Sequence, residues 1–243
     1  MFGSTQRALA DVSERRACGR VEVVRRRSGG GAVLLEPEDP VWVDLWVPRG
    51  DSLWESDVTR SALWLGRSWV RALRRVGIEG AQVYSDRFTR SSRGTIADEV
   101  CFGSLAPGEV VVSGRKIVGI SQWRSREGSL FSCALYLHWD PRAIVSIIAA
   151  QDLLEPSLSP GRVMSQARSA RDDPRRSGDR PWEISQRDEM KKAATQEAAV
   201  GYLSGSAVGL RELTGTPVVR ASVEAGLCES LPERASWEFI RAR

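Results

Sequence analysis

Apolar and polar side chains alternate most sharply over residues 41–47, where Val41, Val43, Leu45 and Val47 interleave with Trp42, Asp44 and Trp46. That period of two predicts a strand. Apolar positions at Val58, Ala62, Leu65, Trp69, Ala72 and Val76 instead keep helical spacing. They predict a helix over 57–76 that Gly77 ends. Further strands are predicted at 82–84, 99–102, 109–113, 116–123 and 130–137, with turn signals at Ser113-Gly114 and Glu127-Gly128. Two shorter apolar runs, 21–24 and 32–35, predict strands on either side of Gly29-Gly30-Gly31.

Helical patterns bracket this run of strands. Residues 6–18 carry Leu9, Val12 and Cys18 ahead of Gly19, and Asp140-Pro141 opens a second helix through Ile144, Ile147 and Ile148. Thr216-Pro217 opens a third, with Val219, Val223, Leu227 and Leu231 at spacing four. A helix, many adjacent strands and then helices predict an α+β fold rather than a doubly wound parallel sheet. Residues 168–192 mix both charge signs with few apolar positions, so they are expected to be mobile. The division expected is a catalytic domain over 1–160, a mobile charged insertion over 161–195, and a helical appendage over 196–243 that packs back on the domain.

Composition narrows the class. With 243 residues and 42% hydrophobic side chains, nine tryptophans among them, the chain has material for one large core. A net charge of +4 with interspersed signs argues against a dedicated nucleic-acid binder. The cysteines at 18, 101, 133 and 228 are too scattered for a zinc pattern or a secreted disulfide framework. No apolar run approaches the roughly 20 residues of a membrane span, so a cytoplasmic protein without membrane partners is expected.

Two segments carry candidate chemistry. Arg25-Arg26-Arg27-Ser28-Gly29-Gly30-Gly31-Ala32-Val33 offers backbone amides without Cβ atoms, which can approach a phosphate or carboxylate, beside guanidinium groups that match oxyanion geometry. A flexible hairpin turn is the competing reading. In Gly114-Arg115-Lys116-Ile117-Val118-Gly119-Ile120-Ser121-Gln122, Lys116 is the only lysine of the first 190 residues. Its ammonium suits two anionic groups at once, although a strand-end lysine is often simply solvated. Gly119 inside the strand suggests a bulge or a close ligand approach. Cys133 is either an acyl-accepting thiol or a small buried residue alternating with Phe131 and Leu135. His138, the only histidine, reads as structural.

Together, Arg-Arg-x-Ser-Gly-Gly-Gly-Ala-Val and, about 85 residues on, Arg-Lys-Ile-x-Gly-x-Ser-Gln resemble the biotin/lipoate protein ligase superfamily, and its lipoate–protein ligase-like members in particular. Gly3-Ser4-Thr5-Gln6 is similar to that family's Gly-x-x-Gln strand end. Asp98-Glu99-Val100-Cys101-Phe102 and the strand ending at Trp139-Asp140-Pro141 fall in the family's order. The resemblance implies a mixed, mainly antiparallel sheet flanked by helices. It also implies adenylation of lipoate or octanoate with ATP and Mg²⁺, then transfer to a lysine of a lipoyl-domain protein. That acceptor would be a 2-oxoacid dehydrogenase E2 or a glycine cleavage H-type protein.

By position, Lys116 would be the central lysine, holding carboxylate and α-phosphate together. Gly29, Gly30, Gly31 and Ala32 would line the acyl-adenylate pocket, with Arg26 and Ser28 contacting phosphate or acyl group. Gly119 and Ser121 lie in the lysine motif, and Asp98 would help position Mg²⁺ or the nucleotide. The metal ligands themselves stay unassigned. Three departures stand out. The chain starts almost at the Gly-x-x-Gln element, Leu35-Glu36 stands where many ligases read His-Asp, and the helical appendage is short. They keep two alternatives open: an ATP-independent octanoyl or lipoyl transferase working through Cys133, and a catalytically degenerate acyl- or nucleotide-binding member.

Overall fold

The computed structural model describes residues 1–6, 21–90, 95–149 and 186–233. Its centre is a five-stranded sheet in the order β1-β7-β6-β5-β2. The strands are β1 (Val41–Pro48), β2 (Ala81–Val83), β5 (Val110–Val112), β6 (Arg115–Arg124) and β7 (Gly128–Leu135). All of these pair antiparallel, and parallel contacts occur as isolated bridges such as Ala32 with Val100 and Lys116 with Ala207. A separate ribbon pairs β3 (Thr89–Arg90) with β4 (Ser104–Leu105). Among the described residues, five helices accompany the sheet: α1 (Leu63–Arg75), α2 (Arg142–Ala149), α3 (Gln186–Ser206), α4 (Leu210–Thr214) and α5 (Arg220–Ser230).

Strand alternation divides the interior into two cores. Phe131, Cys133 and Leu135 of β7 point with Val41, Leu45 and Val47 toward Leu65, Trp69 and Leu73 of α1, and Val223 and Leu227 of α5 complete that side. Ala134 and Tyr136 point the other way, to Ala32, Val33, Ile96, Val100 and Phe102, with Ile144, Val145 and Leu203 packed behind them. The candidate chemistry sits on this second face. Between β5 and β6, Ser113 and Gly114 both take positive φ, 50° and 76°. That two-residue turn matches strand twist and fixes which residues of β6 oppose β5. A register shift at Val110/Val111 follows it.

Several expectations change. The runs 21–24 and 32–35 are not strands. Each is held through one residue only: Phe2 donates to Val24 O (2.8 Å) and accepts from Arg26 N–H (2.9 Å), and Ala32 donates to Glu99 O (2.6 Å) and accepts from Cys101 N–H (2.9 Å), which gives bridges instead of ladders. The apolar run 99–102 lies in two tight 3-10 turns, Ile96–Glu99 and Cys101–Gly103. A Cβ at Gly103 would fall 2.1 Å from Ala97 O, so glycine permits that coil. Helix α1 begins at Leu63 because Asp57 accepts from both the N–H and the hydroxyl of Thr59, bending the chain ahead of it. Pro217 precedes the third predicted helix, which starts at Arg220 after an extended Val219.

Helix α3 begins at Gln186, within the stretch 161–195 read from sequence as a charged insertion. Ala199 and Leu203 bury its inner side, and the Trp139 indole donates to Leu203 O at 2.9 Å. The predicted helix over 6–18 falls mostly outside the described residues, as does 161–185.

Candidate active site

The glycine segment is anchored before it reaches the sheet. Gln6 folds back so that its Oε1 accepts from Gly3 N–H, while its Nε2 donates to both Glu99 O (2.9 Å) and the Glu99 carboxylate (2.6 Å). The Gly-x-x-Gln element is therefore a clamp between the first residues and the 3-10 turns. Ser28 is buried, its hydroxyl 2.9 Å from that of Ser121 on β6, and Ser4 N–H donates to Ser28 O. Arg27 stacks over the Trp123 ring at 5.1 Å. Ala32 closes the segment by donating to Glu99 O and accepting from Cys101 N–H at 2.9 Å.

Why three glycines follow Ser28 has separate answers. Gly30 adopts φ +93°, a left-handed conformation that favours glycine. At Gly31 a Cβ would lie 2.5 Å from both Cys101 N and Val100 C. The close approach is thus to the protein's own backbone, not only to a ligand. Nothing described lies within 4 Å of where a Gly29 Cβ would stand. Arg26 reaches over this curve, its Nη2 donating to Gly29 O (2.9 Å) and Gly31 O (2.7 Å).

Lys116 lies at the heart of the site, but not as a free cation. It is 1% exposed, and its Nζ donates to Cys101 O (2.9 Å) and to both oxygens of Glu109 (2.8 and 2.7 Å). The Phe102 ring lies 5.5 Å from the ammonium. Glu109 also accepts from Ala106 N–H (2.7 Å) and Ile120 N–H (3.3 Å). Burial pushes its carboxyl up, against the pull of Lys116 and of those two N–H groups. The acidic partner of the lysine is thus Glu109, seven residues away across the hairpin. Asp98 sits in the first 3-10 turn, and its N–H donates to Thr95 O.

Two thiols receive opposite environments. Cys133 faces the α1 core beside Trp69 and is wholly buried, and that burial pushes its thiol up to about 12. It lies on the far face of the sheet from the glycine segment and does not fit the role of acyl-accepting thiol considered for it. Cys101 does lie in the site and is partly exposed. Its Sγ is 3.6 Å from where a Gly119 Cβ would stand, its N–H is held by Ala32, and its carbonyl is held by Lys116. Gly119 is buried, and it packs against both the Cys101 sulfur and the Phe102 ring. Arg26 interacts with Cys101 through charge, which opposes the lowering of the guanidinium by burial.

Glu109 and Cys101 are the residues that sequence reasoning missed. The signal for both was their place in a segment already singled out. Cys101 stands within Asp98–Phe102, and Glu109 opens the strand before the lysine motif.

The arrangement suits ATP and Mg²⁺ poorly. The ammonium expected to neutralise an α-phosphate is already matched by a buried carboxylate, which would repel the triphosphate. Leu35, where many ligases have histidine, is exposed on the loop beyond Val33.

A family model for the lipoyl protein ligase A/B catalytic domain matches residues 1–171. The octanoyltransferase LipM of Kyrpidia tusciae is 28% identical over 210 residues, covering 86% of this chain and 61% of that protein. A bi-partite lipoate protein ligase of Thermoplasma acidophilum, described with its E2 lipoyl domain, is 14% identical with a TM-score of 0.49. That match covers 90% of this chain and 59% of that one. A lipoate-protein ligase A bound with ATP is 13% identical with a TM-score of 0.44, over 89% and 60% of the two chains. The chain spans about three fifths of the length of these relatives.

Proposed function

This chain belongs to the lipoyl protein ligase A/B catalytic-domain family, and on that premise we propose that it transfers an octanoyl or lipoyl group through a thioester on Cys101, without ATP. The observation that carries this reading is the placement of Cys101. Gly31 packs on its N–H, Lys116 grips its carbonyl, and its sulfur is partly exposed above Gly119. In the first step the Cys101 sulfur attacks the carbonyl carbon of an acyl thioester. The bond to the carrier sulfur breaks, and the carrier leaves as a thiol with the proton that Cys101 gave up. In the second step the neutral amine of an acceptor lysine attacks the acyl-Cys101 carbonyl. A C–N bond forms, the C–Sγ bond breaks, and the proton lost by nitrogen returns to the sulfur.

Nothing is oxidised or reduced, and a thioester lies far enough above an amide in free energy to need no nucleotide. Lys116 acts here as a positioning residue, tying the nucleophile's backbone to Glu109. The acceptor is a lipoyl domain in the cytoplasm, where thiols stay reduced. The octanoyltransferase LipM supports this choice of reaction by its name alone.

The test is octanoyl transfer from an octanoyl carrier protein to a lipoyl domain in ATP-free buffer. Transfer is expected with the intact protein and with Cys133→Ala, and not with Cys101→Ala. Equal transfer by Cys101→Ala overturns the proposal. The ATP-dependent ligation that the family resemblance implies is the second reading, favoured by a lysine beside the glycine segment. ATP–pyrophosphate exchange that requires lipoate or octanoate, without ATP-free transfer, would install it instead.

A further inference from the structure

The two edges of the central sheet differ. β2 at one end is three residues long, whereas β1 at the other runs for eight, Val41–Pro48. Arg49 N–H donates to Glu127 O at 2.7 Å, which continues the register that sets Val47 against Ser129 and Val41 against Leu135. Backbone groups along an antiparallel strand turn to alternate sides, so the odd-numbered residues of β1 face β7 and the even-numbered ones face outward. The outward N–H and C=O groups of Trp42, Asp44 and Trp46 have no backbone partner among the described residues. Pro48 brings no N–H and ends the run. A long strand with such an edge is a template for another chain.

The same three residues share one face of the sheet. Trp46 is 39% exposed with its ring over Gly128, Trp42 is half-buried, and Asp44 stands exposed between them. Trp42 Nε1 donates to one Asp44 oxygen at 3.2 Å, and no ion pair among the described residues includes Asp44. A second copy of β1 is a poor occupant of this edge. Antiparallel pairing that engages all three outward residues would set Asp44 opposite its own copy, and like charges directly opposite destabilise a sheet. A cation opposite Asp44 is what the edge lacks.

We propose that β1 binds an extended segment of another polypeptide by strand addition. That segment carries a lysine or arginine opposite Asp44, with apolar side chains two residues to either side, opposite Trp42 and Trp46. Main-chain bonds supply the pairing, and the three side chains supply the selectivity. Gly119, Ala134 and Trp42 stand opposite one another across β6, β7 and β1. The added strand therefore lies three strand spacings, about 14 Å, from Gly119, on which the Cys101 sulfur packs. The surface is separate from the thiol and does not depend on the thioester reading.

The experiment titrates the full chain into a fluorescein-labelled peptide, Thr-Ile-Thr-Lys-Thr-Ile-Thr, and reads fluorescence anisotropy. Methylating the backbone nitrogen of the peptide's lysine, which points at β1, is expected to abolish binding. Methylating that of the next threonine, which points away, should leave binding intact. Glutamate in place of the peptide's lysine should weaken binding about fivefold, and Asp44→Lys in the protein should reverse that preference, which also shows that the variant is folded. Absence of binding by the unmodified peptide overturns the proposal, as does an equal effect of the two methylations or an unchanged preference in Asp44→Lys. A dimer of the intact protein that the peptide dissociates, seen by sedimentation equilibrium, overturns it too, because the edge would then belong to a second copy.

Discussion

Replacing Lys116 with methionine is expected to destabilise the fold through the carboxylate it leaves behind. Methionine fills a similar volume, so packing against Phe102 is largely kept. What goes is the ammonium that faces both Glu109 oxygens at 2.8 and 2.7 Å, at a position 1% exposed. Glu109 retains only Ala106 N–H and Ile120 N–H. Breaking a buried pair by removing one partner costs about 3–5 kcal/mol. Adding Glu109→Gln should return about 2 kcal/mol, because the amide oxygen still accepts those two bonds and no charge is left buried.

The loss should depend on pH. Burial already pushes Glu109 up in the native protein, and without Lys116 it rises further. A carboxyl raised in the folded state binds more protons there than in the unfolded state. Stability then falls as pH rises above the unfolded carboxyl value, by about 1.4 kcal/mol per unit until the folded group ionises. Urea unfolding followed by tryptophan fluorescence at several pH values from 5 to 8 measures all of this, since the chain has nine tryptophans. A Lys116→Met loss under about 1 kcal/mol would refute the reasoning. So would a double variant less stable than Lys116→Met alone, or a loss that grows toward acid.

Gly31→Ala would put a Cβ 2.5 Å from Cys101 N and Val100 C, so it should cost about 1–3 kcal/mol and disrupt Cys101. Thermal melts and ATP-free transfer check this, whereas Gly29→Ala, which meets nothing within 4 Å, should change neither stability nor transfer appreciably. Cys133, with its thiol pushed up to about 12 and no exposed surface, should resist iodoacetamide at pH 8 until the protein is unfolded, as peptide mapping would show. Trp69→Ala opens the α1 core where Trp69 is wholly buried and should cost about 3–5 kcal/mol by urea unfolding.

The strands that bury one face cleanly were legible from pattern alone. Val41 to Val47 alternate because every second residue enters the α1 core, and Ser113-Gly114 announces its own turn. Residues 99–102 were not, because Val100 and Phe102 alternate with Cys101 as a strand would. It is Gly103, packed on Ala97 O, that lets the chain coil there instead. That misreading hid the site's thiol. The sequence offered Cys133 alone as a candidate acyl thiol, and the two thiols pack against different cores of the fold. Lys116 stood out on composition alone. Its partner was hidden because Glu109 meets it through a hairpin register with a shift at Val110/Val111, which spacing does not disclose. The glycines behaved similarly: their number was visible, but that Gly31 serves contact with Cys101 emerges only from packing.

The most direct test of the thioester account is to find the acyl group. The protein is mixed with an octanoyl carrier protein and no acceptor, quenched in acid, digested and mapped by mass spectrometry. The account predicts one hydroxylamine-labile octanoyl group on the peptide containing Cys101, lost on adding a lipoyl domain as that domain gains it. Octanoyl on Cys133, or transfer to the lipoyl domain with no acyl-enzyme at any time, would contradict it.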